Sequence, residues 1–105
     1  MNVRDRFFYE IYNRVKSGED VSLVSTDLGA PSLDDFRRDF PQRFVNVGIA
    51  EQNAIAVAGG LSLAGKKVVT YGLNPFPVTR AFDQIRNLMA SLELPITVAA
   101  LKAGT

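Results

Sequence analysis

The chain has 105 residues, 47% hydrophobic and 22% charged, with a net charge of +1, which is typical of one globular domain without a basic surface for nucleic acid or an anionic membrane. Cysteine and histidine are absent, so disulfides and thiolate chemistry are excluded, and acid–base chemistry must come from carboxylates, lysines, a cofactor or another chain. No stretch has the ~18 uninterrupted apolar residues of a membrane span, and the first residues lack a signal-peptide pattern, so we expect a cytoplasmic protein.

Hydrophobic periodicity and turn residues divide the chain into alternating helices and strands. In chain order the sequence predicts a helix at residues 2–17, a strand at 21–25, a helix at 32–40, a strand at 44–47, a helix at 50–64, a strand at 68–71, a constrained loop at 72–77, a helix at 78–91 and a strand at 96–101. The first helix has apolar residues at spacings of three and four and ends at Gly18. The second is predicted to begin with Ser32 as its N-cap, followed by an acidic first turn, and to end before Pro41.

The helix predicted at residues 50–64 is apolar almost all round, which is typical of a helix buried on every side. It contains Gly59 and Gly60, and each mid-helix glycine costs ~1 kcal/mol relative to alanine. That cost is explained if another backbone or a subunit approaches closely. In the helix predicted at 78–91, we expect four apolar residues to face the core: Phe82, Ile85, Leu88 and Met89.

Alternation of helices and strands predicts an α/β fold with a mostly parallel sheet, right-handed crossovers and helices on both faces. There is no internal repeat, low-complexity segment or linker, so residues 1–105 are expected to form one domain. The last strand ends where another loop at the ligand-binding edge of the sheet should begin. We therefore expect the domain to be incomplete at its C-terminus, as a fragment or a trimmed domain.

Glu51 lies where the second strand leads into the third helix, in the segment Val-Asn-Val-Gly-Ile-Ala-Glu-Gln-Asn at residues 45–53. In α/β sheets this position is at the carboxyl edge of the strands, where ligands bind. The nearby residues Ile49, Ala50, Ala54 and Ile55 are apolar, so we expect the carboxyl group to be buried. Burial disfavours the charged form more strongly than the helix N-terminus favours it. Without a cationic partner, Glu51 is therefore expected to carry a proton near neutral pH.

Four stretches stand out together: Ser-Thr-Asp-Leu-Gly at 25–29, Gly-Ile-Ala-Glu-Gln-Asn at 48–53, Ala-Gly-Gly-Leu at 58–61 and Arg-Ala-Phe-Asp-Gln-Ile-Arg-Asn at 80–87. In this order they resemble the pyrimidine-binding domain of transketolase and deoxyxylulose-phosphate synthase, and the resemblance runs from about Arg4 to the last residue. It implies that the cofactor is thiamine diphosphate. It also implies transfer of a two-carbon ketol unit between sugar phosphates, or a related carboligation.

The resemblance implies roles for five residues. Glu51 would hydrogen-bond N1′ of the aminopyrimidine ring and promote the imino tautomer, whose nitrogen removes the C2 proton of the thiazolium. Asp27 corresponds to the family's conserved interface aspartate, and Leu28 to an apolar group that packs against the bent cofactor. Phe76 and Phe82 correspond to two of the aromatic residues that wall the pyrimidine pocket.

The residues by themselves also allow plainer roles. Glu51 could only complement the helix dipole, Asp27 could form a turn and Phe82 could belong to the core. Thr79 stands where transketolase has another aromatic residue, so stacking on the ring face is an open question. Arg80 could bind a substrate phosphate with two hydrogen bonds, although a solvated or ion-paired surface arginine is the commoner case.

The sequence lacks the Gly-Asp-Gly motif with a downstream asparagine by which the resembling family binds magnesium and diphosphate, and it lacks the family's sugar-binding histidines. We therefore expect no metal site in this chain. A diphosphate-binding domain or subunit of the same enzyme would bring Mg²⁺ and complete the site in a homo- or hetero-oligomer. The alternative is a truncated, non-catalytic assembly or regulatory module that uses the 50–64 helix as its interface. A free-standing small-molecule-binding domain is disfavoured, because a monomer would expose that helix.

Overall fold

A computed structural model describes residues 2–73 and 75–101 of the chain. Residue 74 of the predicted loop and the C-terminal residues 102–105 lie outside the described residues. The strands are β1 (Val21–Ser25), β2 (Phe44–Asn46), β3 (Lys67–Leu73) and β4 (Ile96–Leu101). The helices are α1 (Val3–Lys16), α2 (Pro31–Asp39), α3 (Glu51–Leu63), α4 (Phe76–Thr79) and α5 (Phe82–Gln84), with a 3₁₀ turn at Pro41–Arg43 and a π-helical stretch at Ile85–Ala90. In these ranges no helix combines the length and apolar character needed to cross a membrane.

The four strands form one parallel sheet in the order β2-β1-β3-β4. Leu23 of β1 is paired with Phe44 of β2 on one side and with Val69 of β3 on the other. The chain therefore runs outward from β1 to β2, crosses back over β1 and continues outward through β3 and β4. The direction of winding reverses between β1 and β3, and open α/β sheets bind ligands at the carboxyl ends of the strands at such a point.

Alternating side chains of the central strands separate two hydrophobic cores, which confirms the predicted α/β fold with helices on both faces. Leu23 and Tyr71 belong to the core under α1 and α2, where the rings of Phe8 and Tyr71 meet edge to face with centroids 4.9 Å apart. Val24 and Val68 belong to the core under α3. Because β1 and most of β3 are covered on both faces, their side chains are buried almost without interruption.

The expectation that the third helix is buried on every side is wrong for this chain. The buried residues of α3 follow one face: Glu51, Ala54, Ile55, Ala58, Gly59 and Ser62. Leu63, by contrast, is 68% exposed. The reason is that α3 packs against the sheet on one side only, and no second layer of the described chain covers its outer face. A methyl group at Gly60 would meet nothing within 4 Å among the described residues, so none of them makes the close approach expected there.

The start of α2 also differs from the prediction. The N-cap is Ala30, not Ser32, because Pro31 opens the helix at a position where its fixed φ is favourable. The Ser32 hydroxyl is buried instead and donates a hydrogen bond of 2.7 Å to Oδ1 of Asp5. This hydrogen bond and, to a smaller extent, one from Arg4 lower the pKa of Asp5. Ser32 therefore links α2 to α1 and does not cap its own helix.

The helix predicted at 78–91 begins earlier and is interrupted. It starts at Phe76, breaks at Arg80 and Ala81, and resumes as α5 and the π-helical stretch. Ala81 is fully buried, and its neighbour Phe82 is 57% exposed. Ala81 in the break is therefore packed into the protein, whereas Phe82, the first residue of α5, faces outward. The expectation that Phe82 faces the core is therefore wrong, whereas Met89 does pack against the core under α3.

Candidate functional site

An open cleft of about 240 Å³ lies at the carboxyl edge of the sheet. Loops that follow β1, β2 and β3 all contribute to it, as expected at a reversal of winding between β1 and β3. Its lining residues are Thr26, Asp27, Leu28, Ile49, Glu51, Leu73 and Phe76. Four of the five residues that the sequence indicated for a cofactor site are therefore brought together.

The fifth residue, Phe82, does not line this cleft. It follows the break at Arg80 and Ala81 and exposes more than half of its surface to solvent. Its expected contact with a pyrimidine ring thus has no counterpart in the cleft formed by the described residues, and it stays a prediction.

Glu51 is the first residue of α3 and is only 3% exposed, as the apolar sequence around it predicted. Its Oε1 atom accepts a hydrogen bond of 2.8 Å from Nη1 of Arg80. Its Oε2 atom is buried and has no hydrogen-bond partner among the described residues. The expectation of a proton on Glu51 assumed that no cationic partner is present, and Arg80 makes that premise wrong.

Arg80 lies at the break between α4 and α5, and three contacts hold it there. Besides the ion pair with Glu51, its guanidinium lies over the Phe76 ring, 4.2 Å from the centroid. Its backbone carbonyl accepts a hydrogen bond of 3.2 Å from Nε2 of Gln52. The sequence left two roles open for Arg80, a contact to a substrate phosphate or a solvated or ion-paired surface side chain. In the structure Arg80 forms an ion pair, and its partner is the buried carboxyl group of Glu51 in the cleft.

Asp27 follows β1 in a left-handed conformation, with φ of 64°. Oδ1 of Asn46 accepts hydrogen bonds from the backbone N–H groups of Asp27, at 3.0 Å, and of Gly48, at 2.9 Å. Nδ2 of Asn46 donates a third bond of 3.1 Å to Oδ1 of Asp27. Asn46 therefore joins the loop after β1 to the loop that leads to Glu51.

Sequence analysis did not identify Asn46 as a site residue. The available signal was a single amide side chain at the end of an otherwise apolar strand, two residues before a glycine. Gly48 has φ of 77°, which favours glycine. An amide that accepts from this turn is a common way to fix such a loop.

The floor of the cleft is tightly packed around Gly72. The Thr26 hydroxyl donates a hydrogen bond of 3.3 Å to the backbone oxygen of Tyr71. A Cβ atom at Gly72 would lie 2.5 Å from Oγ1 of Thr26 and 2.9 Å from Cγ of Pro77. Glycine is therefore needed near the carboxyl end of β3 for the strand to pack against Thr26 and Pro77. Burial also raises the pKa of Tyr71 to about 12.

The cleft combines apolar walls with the buried carboxyl group of Glu51, whose Oε2 atom has no partner among the described residues, an arrangement suited to a flat, mostly apolar ring with a polar edge. Within residues 2–73 and 75–101 there is no group of three or more carboxylate, imidazole or thiolate side chains that could hold a metal ion.

The family model for the transketolase pyrimidine-binding domain matches residues 2–105. The chain belongs to this family. It is 42% identical over 73 residues to a subunit of the apulose-4-phosphate transketolase of Actinobacillus succinogenes, a match that covers 69% of this chain and 24% of that protein. It is 38% identical over 84 residues to 1-deoxy-D-xylulose-5-phosphate synthase of Corynebacterium glutamicum, a match that covers 80% of this chain and 13% of that protein.

A solved structure described as a split gene transketolase, in the form of an inactive beta4 tetramer, has the same fold as this transketolase-type domain. The TM-score is 0.81 and the sequence identity 34%, with 92% of this chain and 33% of that chain covered. The chain thus spans a third or less of each of these relatives. The family and the fold expected from the sequence are both confirmed.

Transketolase-type enzymes use thiamine diphosphate, and the cleft fits the pyrimidine part of this cofactor. The free Oε2 atom of Glu51 provides one polar contact at a buried position. Leu28, Ile49 and Phe76 provide apolar surface around it. This fit concerns the pyrimidine part of the cofactor alone.

Proposed function

We propose that this chain is the pyrimidine-binding part of a thiamine diphosphate-dependent, transketolase-like transferase that moves two-carbon ketol units between sugar phosphates. The observation that supports this most directly is that Glu51 lines the cleft and that its buried Oε2 atom has no hydrogen-bond partner among the described residues. A buried polar atom without a partner costs free energy, and a ligand that supplies the missing hydrogen bond recovers it.

In this proposal Glu51 is the catalytic residue and binds the ring nitrogen N1′ through a hydrogen bond at Oε2. Leu28 and Phe76 pack against the cofactor, and Asp27 lies at the interface with the partner, where Asn46 fixes its backbone. Phe82 does not line the cleft of the described residues, so it would contact the cofactor only if α5 moved or if the partner completed the pocket beside it. When bound, thiamine diphosphate supplies the carbanion stabilisation that ketol transfer requires.

A diphosphate-binding domain or subunit would supply Mg²⁺ and close the cleft. Three observations support this need: the cleft is open, the described residues contain no metal-binding cluster, and Ile49 at the cleft is 77% exposed. One relative is named as a transketolase subunit and another as a split gene transketolase. We extend this arrangement to the present chain and propose a homo- or hetero-oligomeric enzyme in the cytoplasm.

The test uses the complete protein that contains this chain, mixed with its diphosphate-binding partner. Binding of thiamine diphosphate with Mg²⁺ and ketol transfer are measured for the wild type and for Glu51→Gln and Glu51→Ala. Loss of the positioned carboxyl group is expected to lower turnover by about 10²–10⁴-fold while the circular dichroism spectrum stays unchanged. Near-normal turnover of Glu51→Ala would rule the assignment out.

Glu10→Gln is the matched control. Glu10 is an exposed helical glutamate that pairs with Arg14 at 3.1 Å, far in sequence from the cleft. An exposed pair at this spacing contributes only about 0.3–0.5 kcal/mol. The control should therefore keep wild-type activity, so a loss confined to the Glu51 variants reports on the cleft.

The alternative is a non-catalytic assembly or regulatory module of the same fold. The exposed apolar residues on the outer face of α3 and beside the cleft favour an interface, which this alternative also requires. The same mixing experiment separates the two functions. Saturable cofactor binding only in the mixture supports the enzyme, whereas complex formation without cofactor binding supports the module.

A further inference from the structure

Arg80 has no role in the pyrimidine site described so far, although it contacts two residues of the cleft, Glu51 and Phe76. We propose that Arg80 is a positioning residue for Glu51. By binding Oε1, it fixes the carboxyl group so that Oε2 is the oxygen that meets the pyrimidine ring of the cofactor. This inference rests on the proposed function and adds to it a residue that sets the geometry of the catalytic carboxyl group.

The first support is the hydrogen bonding of Glu51. A glutamate side chain has three rotatable bonds, and its carboxyl group takes a single orientation only when something binds it. Among the described residues, Arg80 is the hydrogen-bond partner that binds this carboxyl group, at 2.8 Å, and Oε2 has none. Without Arg80, either oxygen could face the cleft, and the carboxyl group could rotate out of line with a bound ring.

The second support is that Arg80 is itself held in place. The Phe76 ring lies under its guanidinium at 4.2 Å, and Gln52 donates to its backbone carbonyl at 3.2 Å. Two adjacent residues at the start of α3, Glu51 and Gln52, thus bind the side chain and the backbone of the same arginine. This double attachment joins the start of α3 to the break between α4 and α5.

The arrangement also explains why this arginine is only half exposed at a break in a helix. Its side chain is 50% exposed while that of Glu51 is 3% exposed. An arginine that served only solubility would point into solvent, as the exposed Arg86 does on the following helical stretch. Arg80 instead contacts Glu51, so its positive charge lies beside a buried carboxyl group that lines the cleft.

The test measures the Kd for thiamine diphosphate, at fixed Mg²⁺, in the complete protein assembled with its partner. Arg80→Met removes the hydrogen bond and the charge, and we expect the Kd to rise by about 10–100-fold, the worth of a charge-assisted hydrogen bond. Arg80→Lys retains a charged donor and should return the Kd to within about threefold of the wild type. Arg86→Met, which removes an exposed arginine with no ion pair among the described residues, should leave the Kd unchanged.

Gln52→Ala provides a second test that leaves no charge buried without a partner. It removes one attachment of Arg80 at an exposed side chain, and we expect a smaller increase in Kd, about two- to fivefold. This variant keeps the inference testable if Arg80→Met does not fold.

The inference is overturned if Arg80→Met binds the cofactor as tightly as the wild type, or if Arg80→Lys binds as weakly as Arg80→Met. The same result follows if Arg80→Met does not fold and Gln52→Ala has the wild-type Kd. A wild-type assembly that does not bind thiamine diphosphate would overturn the proposed function itself. Because these outcomes differ in the wild-type measurement, failure of one is not mistaken for failure of the other.

Discussion

Gly72 lies near the carboxyl end of β3 and packs closely against Thr26, which follows β1, and Pro77 of α4, and Gly72→Ala tests that contact. The new Cβ would lie 2.5 Å from Oγ1 of Thr26 and 2.9 Å from Cγ of Pro77. Both distances are well inside ordinary van der Waals contact, so a side chain or the backbone must shift. Overpacking of this kind costs about 1–3 kcal/mol. With a urea m-value of about 1–2 kcal/mol/M for a domain of this size, the unfolding midpoint should fall by about 0.5–3 M.

The assay is urea unfolding followed by circular dichroism, with Gly60→Ala as the matched control. Gly60 is in the exposed part of α3, and an added methyl group there would have nothing within 4 Å among the described residues. Alanine there should stabilise the helix by up to about 1 kcal/mol. Combining Gly72→Ala with Thr26→Ala should cost less than the sum of the two single changes, because the clash with Oγ1 disappears.

The close contact at Gly72 is disproved if Gly72→Ala unfolds at the same urea concentration as the wild type, or if the double variant is strictly additive. Either result would mean that the carboxyl end of β3 does not pack against Thr26 and Pro77 as closely as the structure has it. The packing described at the floor of the cleft would then be wrong, and so would the position of Phe76 relative to Glu51.

Three further predictions concern other contacts. Burial raises the pKa of Tyr71 to about 12, above its ordinary value of about 10. The contribution of its neutral side chain to stability should therefore be lost as the pH rises from about 10 to 12. Unfolding in urea at a series of alkaline pH values should show a smaller loss of stability for Tyr71→Phe than for the wild type. The hydrogen bond from Arg38, with a second from Tyr12, lowers the pKa of Asp39 to about 2. The difference in urea midpoint between the wild type and Asp39→Asn should therefore be present above about pH 4 and disappear as the pH falls to about 2. A midpoint difference that does not change with pH would refute the pairing. Asn46→Asp removes the donor to Asp27 and opposes two carboxylates, so amide exchange at residues 27 and 48 should accelerate, while unchanged protection would contradict the proposed link between the loops.

The strands were the most predictable part of the fold. The bounds of β1 and β4 coincide with the sequence prediction, because each is a short apolar run between turn-forming residues. The strand order could not be read in this way, since pairing of β1 with both β2 and β3 depends on contacts between distant segments. Glu51, Asp27, Leu28 and Phe76 could still be placed at one edge, because the carboxyl ends of all parallel strands lie there.

The residues that support the site were harder to predict. Asn46 contacts Asp27 across 19 positions of the sequence, and Arg80 contacts Glu51 across 29. Neither distance corresponds to a helical or strand periodicity, so only the assembled sheet brings these partners together. The predicted orientation of Phe82 was wrong for a related reason. At the break, Arg80 contacts Glu51 and Phe76 and Ala81 is buried, whereas the helical pattern of the sequence runs on without interruption.

A crystal structure of the complete protein with its partner, thiamine diphosphate and Mg²⁺ would decide whether Glu51 binds the cofactor. We predict that Oε2 of Glu51 lies within about 2.6–3.2 Å of the pyrimidine nitrogen N1′, with Arg80 still bound to Oε1 and the ring in the cleft beside Leu28 and Phe76. A pyrimidine ring bound away from this cleft, with Glu51 making no contact to it, would show that the proposed site is wrong.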